Sequence, residues 1–479
     1  MIAEDLLKIC CERSGTMRKC LADSEITLDE FIFRQAEKVR KNRELVPLVD
    51  PEDFYARVEE FAGKRLGGER AKSVADAVRL GTVLTADHHG GIFCSQTFQS
   101  DLLYGEIINS LGNKTGMIPI MSGGQVELDN STYARGICVQ TTKSRKEKLP
   151  FFSSRPAAKT AYSAQAIDRE MIGRFRTILR DSEFPENDKK EILELVKAVY
   201  ESDEVLSAKA FEDQVTKIGA VLSEKLFGKN GPILVFLEAE RLNVPLIAKE
   251  IRERKTPLAK FFSDERAVAL MQEEKLSDGA PITDILFKTP DKKGRKVNLR
   301  LTNDRRLVGT DWEGNELSFA ADPDSISELL TEGKLIPGFF LIACVSFFER
   351  GITWMGGVFQ TEYLPEWQRS FANLLEKLGM KDEALAVGKY DCSAYVCGPM
   401  FALYGNEGYA NPAGPVEFWM KKPEYEQIRG MIRGTNIRDA HLIGLSEMYM
   451  DLTHPDERPD GWYETLGREL RKSFPGNVL

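Results

Sequence analysis

The chain has 479 residues, a formal net charge of −9, 42% hydrophobic residues and 29% charged residues. That is the balance of a globular protein with room for two or three domains at roughly 150 residues each, and its acidity argues against nucleic acid or an anionic membrane surface as a general partner. The longest apolar run, 335–348, is interrupted by Pro337 and Gly338 and falls short of the ~20 residues that span a bilayer, so no membrane association is expected and the run reads as a core helix. Taken in chain order, residues 1–80 form a helical N-terminal region, in which Asp50-Pro51-Glu52-Asp53 is a helix start with proline in the first turn and acids at the positive end of the dipole. The pattern then changes to an apolar run, 81–86, that reads as a buried strand. A helix over 95–111 follows, stopped by Gly112-Asn113, and a second strand covers 116–121. Strand, helix and strand make a crossover unit, which places the two strands parallel with their C-terminal loops on one edge.

Beyond this unit lie a basic connector at 143–148 and a long amphipathic helical region over about 163–228. A third apolar run at 232–237 ends in Glu238-Ala239-Glu240 and leads into a helix at 244–254. Residues 281–320 alternate and are broken by turn sequences, the pattern of an antiparallel meander. The next helix opens at Ser325-Ile326-Ser327-Glu328, a capping-box spacing. The glycine-rich, aromatic stretch 351–363, with Gly356-Gly357, reads as a packing corner, and 391–397 reads as core. The expected fold is mixed α/β, with a partly parallel sheet flanked by helices, a helical N-terminal region, a small antiparallel meander and a largely helical C-terminal region. The expected segments are 1–80, 81–280, 281–322 and 323–479.

The densest chemistry lies in Asp87-His88-His89-Gly90-Gly91, which holds two of the four histidines and follows the first strand. The second loop, Ser122-Gly123-Gly124, lies on the same edge, where open α/β sheets build ligand crevices. Imidazole and carboxylate are ligands of Zn²⁺, Mn²⁺ and Fe²⁺, so Asp87, His89 and Glu238 form a candidate metal set, with Glu240 as an alternative to Glu238. His88, His89 and Asp87 are the candidate acid–base groups. Adjacent side chains on extended backbone point opposite ways, so the competing reading has one histidine packed away. Gly90, Gly91, Ser122, Gly123, Gly124, Asn130 and Arg135 are expected to cradle an anionic substrate through backbone N–H groups and a guanidinium. Cys94, just before the helix start, is a candidate nucleophile whose alternative is a small buried residue. His441 and His454 stand isolated, and the latter reads as a surface turn. The basic stretches at 143–148 and 292–306 read as solvated charge.

Asp87-His88-His89 resembles the triplet of the DHH phosphoesterases, which implies a strand-end site with two manganese ions. Those enzymes also carry an Asp-x-Asp element upstream, and none precedes Asp87. His88-His89-Gly90 is similar to the His-His-x-x-x-Asp-Gly element of condensation-type acyltransferases, but the Asp-Gly is missing here. No membership in either family is drawn. The N-terminus lacks the basic and apolar parts of a secretory signal, and the eight cysteines show neither a Cys-x-x-Cys pair nor a disulfide-framework spacing. A cytoplasmic setting with reduced thiols is therefore expected. The functional expectation is a hydrolytic or lyase-type enzyme acting on a small anionic metabolite, with a divalent transition metal as the cofactor these ligands would take. Two other classes stay open: a metal-independent acyl- or group-transferase with a histidine base, and a non-catalytic ligand-binding or scaffold protein.

Overall fold

The computed structural model describes residues 2–22, 24–88, 94–128, 135–140, 146–153, 159–228, 231–405 and 408–479. Its centre is a five-stranded sheet. In chain order the strands it uses or adjoins are β1 (Thr82–Leu84), β2 (Met117–Ser122), β3 (Gly136–Gln140), β4 (Lys146–Pro150), β5 (Ile233–Glu238), β6 (Phe287–Pro290), β7 (Lys296–Leu301), β8 (Arg306–Thr310), β9 (Glu316–Ala320), β10 (Ile336–Pro337), β11 (Thr353–Gly357) and β12 (Tyr395–Cys397). The central sheet has the order β12-β11-β1-β2-β5, and every neighbouring pair is parallel. The chain thus enters the sheet at its middle strand, adds two strands to one side and then two to the other, the doubly wound pattern of Rossmann-type folds.

Both faces of the sheet are buried, which is why its strands read as continuous apolar runs. Leu84, Ile118, Ile120, Leu234, Phe236 and Met355 enter one core, while Val83, Met117, Met121, Val235, Leu237 and Trp354 enter the other. The first core takes residues from the helices Leu28–Arg43 and Ser95–Ser110 and from the C-terminal helices. The second takes residues from Glu52–Leu66, Gly68–Val78, Ala239–Glu253 and Gln360–Lys377. The N-terminal helical region thus divides between the two faces. A second sheet, β10-β6-β7-β8-β9, is the antiparallel meander. Among the described residues no helix is long and apolar enough to cross a membrane.

Several local expectations are corrected. β11 is a strand of the central sheet rather than a packing corner, and 391–397 is core as expected, with Ala394 and Val396 fully buried, and contributes the strand β12. Gly356 fits in β11 because a Cβ there would stand 2.0 Å from the side-chain oxygen of Gln360. The run 335–348 is not one helix: it holds β10, the helix Phe339–Ala343 and a π-helical turn, Cys344–Phe348. Gly338 breaks it, because a Cβ there would lie 2.0 Å from the Ile285 carbonyl oxygen. The helix expected from Ser325 spans Pro323–Thr331, with Asp322 as its cap accepting from the Ser325 amide at 3.0 Å. The region 163–228 breaks into Arg169–Arg180, Glu186–Ala198, Asp203–Leu206 and Phe211–Phe227. The basic connector runs into β4, which pairs antiparallel with β3; residues 141–145 lie outside the described set.

Candidate functional site

β1 lies in the middle of the sheet, with β2 and β5 on one side and β11 and β12 on the other. The loops after β1 and β11 therefore leave in opposite directions, and their parting at the carboxyl edge is the place where doubly wound sheets bind ligands. Buried polar contacts close the floor of this parting. The Thr85 amide donates to the Met355 carbonyl at 2.7 Å, and the Thr85 hydroxyl donates to the side-chain oxygen of Gln360 at 2.7 Å. Gln360 in turn donates to the Trp354 carbonyl at 3.2 Å and accepts from the Tyr363 hydroxyl at 3.3 Å.

Asp87 leaves β1 at this point and is 2% exposed. Near it is Asp101, 1% exposed, in the helix Ser95–Ser110. Burial, and then the Asp87 charge beside it, push the Asp101 carboxyl well above the usual carboxylate range. Two carboxyls in one dry place cannot both ionise readily, so such a pair retains a proton. Asp101 Oδ1 has no hydrogen-bond partner among the described residues. Cys397, at the end of β12, shares the neighbourhood. Burial raises its thiol, with Cys94, Asp101 and Asp87 adding to the effect and a hydrogen bond with Ser100 opposing it. Cys94 is itself buried, with its sulfur 3.3 Å from the Thr97 hydroxyl.

His88 follows Asp87, its ring against Phe339 at 5.8 Å between centroids. Burial pushes its imidazole down to about 4, so the ring is neutral near pH 7. Its backbone carbonyl accepts from the Gly123 amide at 2.6 Å and ties the first loop to the second. His89, Gly90, Gly91 and Asn130 lie outside the described residues.

The glycine loop corrects the expectation of a substrate cradle. Its amides do bind a carboxylate, but the carboxylate belongs to the protein. Glu240 accepts from the Gly124 amide at 2.6 Å, the Gln125 amide at 3.0 Å and the Gln125 side chain at 2.9 Å. With the Gly123 amide donating to His88, no donor expected at Gly123 or Gly124 is left for a substrate. Ser122, the last residue of β2, is buried beside them. Glu238 caps the helix Ala239–Glu253 and pairs with Arg241 at 2.9 Å, and Arg241 also meets Glu212 at 3.1 Å. Burial raises the Glu238 carboxyl and Arg241 opposes the rise. β5 stands two strands from β1, about 10 Å between backbones, and Glu238 is held there by Arg241. Among the described residues, no group of three or more His, Cys, Asp or Glu side chains is placed to hold a metal ion. Arg135 adopts φ 27° ahead of β3 and donates from Nη1 to the Phe152 carbonyl at 3.2 Å, a bond within its own hairpin.

Three contributors escape a reading of the sequence. Asp101 carries a signal: it is the sole charged residue between Ser95 and Gly105. Gln360 carries none, because the glycine-rich stretch before it has no strand period. Lys288, on β6, leans over the glycine loop and donates to the Gln125 side-chain oxygen. Burial, and then Lys296, push its ammonium down to about 8, with Glu240 opposing.

The strand order defines a doubly wound α/β protein with two buried carboxyls, Asp87 and Asp101, near its switch point, a class that hosts many chemistries on one scaffold. No family model, curated protein or solved structure matches this particular chain.

Proposed function

We propose that this protein is an enzyme performing acid–base chemistry of hydrolytic or lyase type on a small anionic metabolite at the carboxyl edge of its parallel sheet. The observation that carries the reading is the pairing of Asp87 and Asp101 at the switch point. A folded chain retains two carboxyls in a dry place at a cost in stability, and environments that drive two titratable groups apart mark acid and base roles. In this reading Asp87 is the ionised partner that accepts or orients a proton, and Asp101 holds the proton to be delivered. The neutral His88 ring, next in sequence to Asp87, offers one donor and one acceptor on the same edge. Lys288, beside the glycine loop on the same edge, supplies positive charge for an anionic substrate. A metal-dependent form would rest on Asp87, His89 and Glu238.

The test is a turnover screen over small organic acids and their esters with wild type, Asp87→Asn and Asp101→Asn, alongside elemental analysis of the purified protein. Loss of an acid–base group costs about 10²–10⁴-fold in rate, so both variants are expected to fall by that order. Full activity in either one removes the pair from the chemistry. The filled amide cradle favours one other reading, a non-catalytic binding protein whose loop geometry is wholly structural. That reading expects ligand binding without turnover.

A further inference from the structure

β12 is an edge strand of the central sheet, and a helix face of mixed character covers its start. In Leu28–Arg43 the residues Phe31, Arg34, Gln35 and Lys38 recur at the spacing of one helical face. Phe31 packs edge-on against Tyr395, with 5.1 Å between ring centroids. Gln35 satisfies the strand edge itself, its Oε1 accepting from the Tyr395 amide at 3.2 Å. Between this face, the helix Gly15–Cys20 and the start of the helix Gln360–Lys377 lies a cavity of about 320 Å³, a size that suits a small molecule. Its wall includes Thr361, next in sequence to Gln360 of the crevice floor, but neither Asp87 nor Asp101.

Two features of the wall point to an anion. Lys19, Arg34 and Lys38 reach it from two helices, and among the described residues no carboxylate lines it. Arg34 also meets Glu30 at 2.6 Å, and Lys38 donates to the Ser393 carbonyl at 2.9 Å. The Lys19 ammonium has no partner among the described residues. Glu362, outside the lining, accepts from the Thr16 hydroxyl. The second feature is Gln35, which is 4% exposed and whose Nε2 donates to no described residue. A donor withdrawn from bulk water and left unmet is costly, and an oxygen held in the cavity meets it.

We propose that this cavity binds a small molecule bearing a phosphate group, at a site separate from the carboxyl-edge chemistry and independent of it. Phosphate oxygens accept from Gln35 Nε2 and face the three cations, while the organic part lies against Ile26, Phe31 and Ile437. A phosphate monoester carries a charge of about −1.5 to −2 near pH 7, which this wall matches better than the single charge of a carboxylate.

The experiment titrates the full chain with phenyl phosphate by calorimetry at constant ionic strength, with benzoate and phenol as the other arms. Phenyl phosphate is expected to bind saturably at one site, and the other two about ten-fold or more weakly. Gln35→Glu keeps the acceptor for the Tyr395 amide and replaces the donor with an anionic oxygen, so it should weaken phenyl phosphate by about ten-fold or more. Lys19→Gln alters an exposed side chain at the rim, survives as a folded test where Gln35→Glu does not, and should weaken binding several-fold. Cys20 lies on the cavity wall, and the equally half-buried Cys11 does not. Occupancy should therefore slow alkylation of Cys20 by iodoacetamide and leave Cys11 unchanged; where Cys20 reacts too slowly to score, the variants decide the location. Absence of saturable binding at millimolar phenyl phosphate, equal binding of benzoate, or an affinity unchanged in the folded variants overturns the proposal.

Discussion

A side chain at position 124 would have to occupy the space of two buried carboxylates. Its Cβ would stand 2.4 Å from Glu238 Oε1 and 3.0 Å from Glu240 Oε2. Both carboxylates are held, one by Arg241 and the other by three N–H groups, so neither can yield cheaply. Gly124→Ala is therefore expected to cost about 1–3 kcal/mol, measured as a lower urea midpoint. At position 101 the expectation has the opposite sign. A carboxyl whose folded value is raised contributes its stability fully below the unfolded value near 3.9, and loses it as pH climbs through the folded value. Asp101 thus weighs on the fold at pH 7. Asp101→Asn is expected to raise the melting temperature at pH 7, leave it nearly unchanged near pH 4, and lower turnover. Destabilisation at pH 7 would mean that the carboxyl is a structural group.

Among the elements, the helix Ser95–Ser110 does more than cross between β1 and β2. Gln99, fully buried on it, accepts from the amides of Phe401 and Ala402 at 2.8 and 2.9 Å and donates to the carbonyls of Ala402 and Ala413 at 2.9 and 2.8 Å. One side chain thereby satisfies four backbone groups of the C-terminal region and fixes it to the helix that carries Asp101. Gln99→Ala strands those groups in a dry place, where each unsatisfied one costs about 1–3 kcal/mol. A total loss of about 3 kcal/mol or more is expected, with faster amide hydrogen exchange concentrated at 401–413. Unchanged exchange there would show that the segment is held by packing alone. On the other face of the sheet, Arg350 follows a similar logic. It bonds Asp53 at 2.8 and 2.9 Å and Glu250 at 2.6 Å, joining the helices Glu52–Leu66 and Ala239–Glu253 just ahead of β11. A guanidinium suits that junction because its planar fork offers enough donors to meet two carboxylates at once.

On the scale of the whole molecule, two cores share one sheet, and the buried His441 with the half-buried His88 makes stability depend on acid. His441 is 2% exposed, its Nε2 has no partner among the described residues, and burial pushes its imidazole down to about 4. A value lowered on folding means that the unfolded chain takes up the proton first. The stability is then present above the unfolded value near 6.5 and lost as pH falls toward 4. His441 alone contributes up to about 3 kcal/mol of that loss, since each tenfold fall in proton affinity on folding is worth about 1.4 kcal/mol, and His88 acts in the same direction. Denaturant midpoints measured from pH 7 to pH 4 should fall, and His441→Asn should flatten the slope. A wild-type midpoint constant over that range would contradict the neutral burial of these rings.

Periodicity alone was enough for the mixed α/β class, the parallel pair β1 and β2, β5 and the meander, because burial on two faces or on one leaves its own period in the residues. Asp87 and His88 were legible as a strand-end cluster, since such residues rarely close an ordinary turn. Only the tertiary structure decided the rest. β11 carries glycines and pairs with β1, far back in the chain, and β12 is an edge strand that exists by pairing with β11, so no local pattern announces either. Without them the switch point had no position. Asp101 gained its meaning from Asp87 across the crossover, Glu240 took the amides a ligand was expected to use, and Lys288 arrived from a separate sheet. Side-chain partnership across long loops is set by packing in three dimensions, and a linear pattern records only which face of each element is apolar.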